Sequence, residues 1–121
     1  MSSSRCIDKS TDDVAFLSNI IGNMQQLLPG LPLQPQTALS GYSNGGMMIQ
    51  TLLCQRPEIA NSLSGVVLLG TMLGSDFAAS SCQQKLPRSL PLMWAHGVED
   101  PVLPFAPGSN MGVKALGAGA V

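Results

Sequence analysis

Gly41-Tyr42-Ser43-Asn44-Gly45 sets a serine midway between two glycines in a G-x-S-x-G spacing. A serine hydroxyl is a poor nucleophile unless it stands exposed beside a base and near donors that can hold a developing oxyanion. A sharp turn from a strand into a helix supplies that exposure. Glycines two before and two after leave the turn clear of side chains. The backbone amide of Asn44, at the start of the following helix, is then placed to donate to the oxyanion. The chemistry this spacing suits is acyl transfer through Ser43. With 13 glycines and 14 serines in 121 residues, a shuffled chain would show the pattern roughly 0.16 times, so its weight comes from context. The second group of interest is His96-Gly-Val-Glu-Asp100-Pro, which holds the chain's one histidine and two carboxylates, Glu99 and Asp100.

The elements that must position these groups follow from periodicity. Residues 12–28 carry apolar side chains at Val14, Leu17, Ile20, Ile21, Met24, Leu27 and Leu28, spaced by threes and fours along one helical face. Ser10 and Asp13 fit a capping box, Asp12 and Asp13 suit the positive end of the helix dipole, and Pro29-Gly30 ends the helix. Residues 31–36, with Pro32 and Pro35, read as a loop. Thr37–Tyr42 is a short strand, and Met47–Gln55 a helix with Met48, Leu52 and Leu53 apolar and Pro57 just beyond its end. Ser64–Leu69 is a continuous apolar run of the kind buried on both faces of a parallel sheet. Leu73–Arg88 is loop-like, with a short helix near Asp76–Ala79, and Leu90–Ala95 is a further strand, with Pro91 near its start where proline is tolerated. Strands alternating with helices predict an α/β fold with a parallel sheet. In such sheets functional groups collect at the carboxyl ends of the strands, and Ser43 and Asp100 both fall just past such ends.

Composition removes other classes. The chain is 45% hydrophobic and 11% charged, with six basic and seven acidic residues. That is a globular balance with no basic stripe for nucleic acid. One histidine excludes a His-rich metal site, and no cofactor is implied. No apolar run reaches the roughly 18 residues of a membrane span, and the first residues lack the apolar stretch of a signal peptide. Cys6, Cys54 and Cys82 lack zinc-type pairing and read either as thiols or as one disulfide plus a leftover.

Three stretches in order, Thr11-Asp-Asp-Val-Ala-Phe-Leu17, Gly41-Tyr-Ser-Asn-Gly-Gly-Met47 and His96-Gly-Val-Glu-Asp100-Pro-Val-Leu-Pro104, resemble the α/β-hydrolase esterases. Within these they resemble the polyhydroxybutyrate depolymerase and feruloyl-esterase-like group. The resemblance covers roughly residues 10–120. It implies a serine esterase acting on a small-molecule or polymeric ester, with Ser43 as nucleophile, Asp100 rather than Glu99 as the acid that orients the catalytic histidine, and the Asn44 amide as one oxyanion donor. It also implies Cys54 and Cys82 as disulfide partners, and many relatives are secreted. Tyr42 and Thr71 are candidates to line the acyl pocket, and Trp94 reads as sheet core.

Triad order in this fold is serine, acid, histidine, and no histidine follows Asp100. His96 precedes the acid and reads as a strand-end histidine bonded to its loop. The expectation is therefore a partial α/β-hydrolase fold of about three parallel strands with flanking helices. Residues 1–11 form an N-terminal segment and 12–121 the central part of one domain, incomplete at both ends. The isolated chain is expected to be inactive or a degenerate, non-catalytic fragment with a binding role or none.

Overall fold

The computed structural model describes residues 10–30, 36–71, 82–87 and 89–105. In chain order they form α1 (Asp13–Gly22), α2 (Met24–Leu27), β1 (Thr37–Tyr42), α3 (Asn44–Gln55), a 3-10 turn (Pro57–Ser62), β2 (Leu63–Leu69), α4 (Cys82–Lys85) and β3 (Leu92–Ala95). The three strands make one sheet in the order β1-β2-β3, and both pairings are parallel. This is a partial α/β-hydrolase fold. All three carboxyl ends therefore lie on one edge, where Tyr42 stands beside Leu69 and Leu69 beside Ala95. The expected short helix at Asp76–Ala79 lies outside the described residues.

Several boundaries differ from the sequence reading, each for a local reason. The helix expected over 12–28 is two helices, because the main-chain N–H of Asn23 turns back to the carbonyls of Asn19 and Ile20 and closes α1. Its amino end is capped by Asp12, whose Oδ1 accepts from the Ala15 N–H at 2.8 Å, in place of the Ser10–Asp13 box. The apolar stripe is only partly used: Val14 is buried, while Leu27 and Leu28 are exposed. α3 begins at Asn44 rather than Met47, since Ser43 already takes the N-cap position. β3 starts at Leu92, after Pro91 gives its carbonyl to the Val66 N–H.

The core forms where α3 lies on the sheet. Ile49 and Leu53 of α3 pack with Ala60 of the 3-10 turn and with Val66 and Leu68 of β2, and Leu39, Leu63 and Trp94 flank this cluster. Parallel register puts Leu39 beside Val66 and Gly41 beside Leu68, so these residues share the α3 face. Each such apolar side chain contributes about 1.5–3 kcal/mol when fully buried. The opposite face is more open. Ala38, Ser40, Tyr42, Met93 and Ala95 are exposed there and Val67 and Leu69 are half-buried. β2 is thus fully buried on one face, not both, among the described residues. Its neighbours on the open face, among the described residues, are small or exposed side chains. Cys54 at the end of α3 is joined to Cys82 at the start of α4 by a disulfide, with the Cα atoms 4.9 Å apart. It ties the connection between β2 and β3 back to the helix that follows Ser43.

Candidate active site

Ser43 is the residue at which β1 becomes α3. Its backbone sits at φ 52° and ψ −118°, the one non-glycine residue with positive φ among those described. An L-residue held there costs on the order of 1–3 kcal/mol and persists only where its surroundings over-determine it. They do so here through three hydrogen bonds. The Ser43 N–H donates to the Leu69 carbonyl at the end of β2 (2.9 Å), while the Ser43 carbonyl accepts from the N–H groups of Gly46 (3.0 Å) and Met47 (3.2 Å). The strained residue is tied to the sheet on one side and to the first turn of the helix on the other.

The glycines around it are unequal. A Cβ at Gly41 would lie 2.6 Å from the Gly45 carbonyl carbon and oxygen and from the Gly46 nitrogen, so strand and helix meet there with no room for a side chain. A Cβ at Gly45 meets nothing, although Gly45 completes the motif. The second tight position is Gly46, where a Cβ would run into the Thr71 side chain, 2.7 Å from its Cβ and 2.8 Å from its Oγ1. Thr71 is fully buried. It therefore supports the turn from behind and does not line the cleft, contrary to the pocket role expected of it. Its Oγ1 has no hydrogen-bond partner among the described residues. The Gly-Gly pair after Asn44 was the sequence signal for this contact, but its partner, 25 residues away, was not legible.

Asp100 lies in the loop after β3. Its Oδ1 accepts from the N–H groups of Val102 and Leu103, both at 2.9 Å. These bonds, Leu103 first and Val102 second, hold its carboxyl below the ordinary value of 3.8, against a smaller opposing effect of burial and with a further small pull from the His96 ring. Oδ2 lies 3.6 Å from Nε2 of His96. One oxygen of the carboxylate thus fixes its own loop, and the other is the one placed to meet an imidazole. Glu99 is exposed beside it.

His96 is nearly fully buried, with its side chain 2% exposed. Nδ1 lies 3.2 Å from the Thr71 carbonyl and Nε2 2.6 Å from the Leu103 carbonyl. Both ring nitrogens are directed at main-chain oxygens, so neither is offered to Ser43. Trp94 meets the ring edge-on at 6.3 Å between centroids and is half-buried against the core.

Beside the strand ends, Tyr42, Gly70, Ala95, His96, Gly97, Val98, Glu99 and Asp100 line an open cleft of about 690 Å³. That falls within the ordinary range for small-molecule sites. Tyr42 is 74% exposed and lies over Gly70, whose φ of 49° lets β2 turn away beneath the ring. Asn44 opens α3, so its backbone amide stands at the amino end of a twelve-residue helix, the place for a donor to an oxyanion on Ser43. Ser43 and Asn44 follow β1 and Asp100 follows β3 at the same edge of the sheet, but of the expected site residues it is Tyr42 and Asp100 that line the cleft, not Ser43 or Asn44. No helix among the described residues is long and apolar enough to cross a membrane.

Comparison with known proteins agrees with this geometry. The phospholipase/carboxylesterase family matches residues 3–116, and the chain belongs to that family of α/β-hydrolase esterases. No curated protein and no solved structure matches the chain.

Two predictions follow from the turn and the acid loop. Gly41→Ala and Gly46→Ala each lower stability by about 1–3 kcal/mol through overpacking, whereas Gly45→Ala changes it by less than about 0.5 kcal/mol or raises it. Urea midpoints measure this, and equal losses at all three positions would contradict the assignment. For Asp100, folding lowers the carboxyl's pKa, so the stability it contributes is complete above the unfolded value and is lost as pH falls through the folded one. The stability difference between the native chain and Asp100→Asn therefore narrows as pH falls below 3.8; a difference independent of pH would exclude the bonded carboxylate.

Proposed function

We propose that this chain, a member of the phospholipase/carboxylesterase family, carries the nucleophile and the acid of a serine carboxylic-ester hydrolase. The observation that carries the reading is the positive φ of Ser43 at the junction of β1 and α3, an elbow that lifts a hydroxyl out at the carboxyl edge of a parallel sheet. Ser43 Oγ gives its proton to a general base as it attacks the ester carbonyl, and the tetrahedral oxyanion takes a hydrogen bond from the Asn44 amide. The bond to the alcohol oxygen breaks as the base returns that proton to it, and a water deprotonated by the same base then attacks the acyl group, releasing the acid and the Ser43 hydroxyl. Asp100 is the acid that orients the base; its Oδ1 keeps the loop in place and its Oδ2 lies 3.6 Å from Nε2 of His96. Within the family, the Gly41–Met47 and His96–Pro104 stretches support a substrate of the polyester or feruloyl-ester kind, and the exposed Tyr42 ring beside the cleft suits an apolar or aromatic acyl group.

His96 is the one histidine in these 121 residues, and its ring nitrogens face the Thr71 and Leu103 carbonyls rather than Ser43. That engagement favours a second reading for the chain on its own, a non-catalytic fold that keeps the nucleophile without turning over.

Supplying an external base separates the two. A positioned general base contributes typically 10²–10⁴-fold. Hydrolysis of a p-nitrophenyl ester by the isolated chain should be negligible and unaltered in Ser43→Ala. With added imidazole, the native chain should exceed the imidazole background by at least about tenfold, with the excess lost in Ser43→Ala and reduced in Asp100→Asn. An excess that survives Ser43→Ala, or no excess at all, would overturn the esterase reading.

A further inference from the structure

The esterase reading employs Ser43 and Asp100 and gives His96 no part in the chemistry. Yet His96 occupies a position that a packing histidine does not need. Its two nitrogens reach carbonyls on two different loops, Thr71 just after β2 and Leu103 in the acid loop. Each of those residues is in turn tied to one half of the site. Thr71 is packed behind Gly46, and the Gly46 N–H is bonded to the Ser43 carbonyl. Leu103 is gripped at both ends of its peptide, the carbonyl by Nε2 of His96 and the N–H by Oδ1 of Asp100. A continuous series of contacts therefore runs from the nucleophile turn through Thr71, His96 and Leu103 to the acid. Trp94 and Phe105 fix the ring's tilt, with centroids at 6.3 and 5.8 Å.

We propose that His96 is a positioning residue, a two-ended strap that sets the acid loop Asp100–Leu103 against the turn supporting Ser43. The proposal rests on reading Ser43 and Asp100 as one site. Both ends close together only on the imidazolium, whose two nitrogens each carry a hydrogen; the neutral ring closes one end, and the contact to Leu103, at 2.6 Å, is the shorter. The carboxylate of Asp100 is the one charged group within ion-pair distance of the ring among the described residues. The rigid spacing of two nitrogens across one ring is what a single aliphatic or hydroxyl side chain cannot supply.

Amide side chains divide the strap into its halves. The nitrogen of asparagine overlies Nδ1 and keeps the Thr71 end. That of glutamine overlies Nε2 and keeps the Leu103 end. Leucine keeps bulk and neither bond. In the 121-residue chain, His96→Leu should speed hydrogen exchange at the Leu103 amide by at least about tenfold and move the Asp100 carboxyl titration upward, both read by NMR. His96→Gln should restore both towards the native values, and His96→Asn should restore neither. A folded His96→Leu variant indistinguishable from the native chain, or a His96→Gln variant no better than leucine, would overturn the strap. Should the variants not fold, the native chain still decides. Its one histidine must show a slowly exchanging Nε2 proton with cross-peaks to Leu103, and a rapidly exchanging one contradicts the proposal. None of these readouts uses Ser43 reactivity, so failure of the strap and failure of the esterase reading remain separable.

Discussion

The left-handed backbone of Ser43 is the constraint on which the rest of the site depends. A β-strand that runs into a helix with so tight a reversal forces its junction residue out of the favoured regions, and serine there has no glycine-like freedom. Three main-chain hydrogen bonds hold it, one from β2 and two from α3. Those bonds exist only if β1 and α3 approach without a side chain between them, which Gly41 provides, while Gly46 leaves room for Thr71 behind the turn. Sheet and helix are in turn pressed together by Ile49 and Leu53 against Val66 and Leu68. The strain at one residue is thus balanced by burial of a small apolar core some distance from it.

Parallel order does the remaining work of assembly. Because β1, β2 and β3 all end at the same edge, the loops that follow them are neighbours without any long-range search. Ser43 leaves β1, Gly70 and Thr71 leave β2, and His96 to Asp100 leave β3. The bonds from Ser43 N–H to Leu69 and from Gly70 N–H to Ala95 stitch these exits together in sequence. Asp100 then uses one oxygen for its own loop and has the other 3.6 Å from Nε2 of His96. The disulfide between Cys54 and Cys82 closes the far end of α3 onto the chain that leads to β3.

The sequence made some of this plain and hid the rest, for physical reasons that can be named. The elbow was legible because its requirements are local: a glycine, a serine and a helix start within a few residues. The parallel sheet was legible from apolar runs separated by helical periods. Boundaries were less so. Asp12 and Ser10 are both competent caps, and only the Ala15 contact decides between them. The apolar stripe of residues 12–28 could not reveal that Asn23 would break it, since that depends on where the N–H of one residue finds its carbonyl. The continuous apolar run of β2 suggested burial on both faces, but neighbours set burial, and Ala38, Ser40 and Ala95 cover little. Thr71 and His96 act through partners 25 and 7 residues distant, which no spacing rule specifies. Gly46 was visible as a residue but not as the tight one, because its obstacle, Thr71, lies in the segment after another strand.

The central claim is that Ser43 is chemically distinct from the other serines because of the turn that presents it. Reaction of the folded chain with a fluorophosphonate in the presence of imidazole, followed by peptide mass spectrometry, tests this directly. The account predicts one adduct, on Ser43, that disappears when the chain is unfolded beforehand. Adducts spread over several of the 14 serines, or reaction unaffected by unfolding, would contradict it.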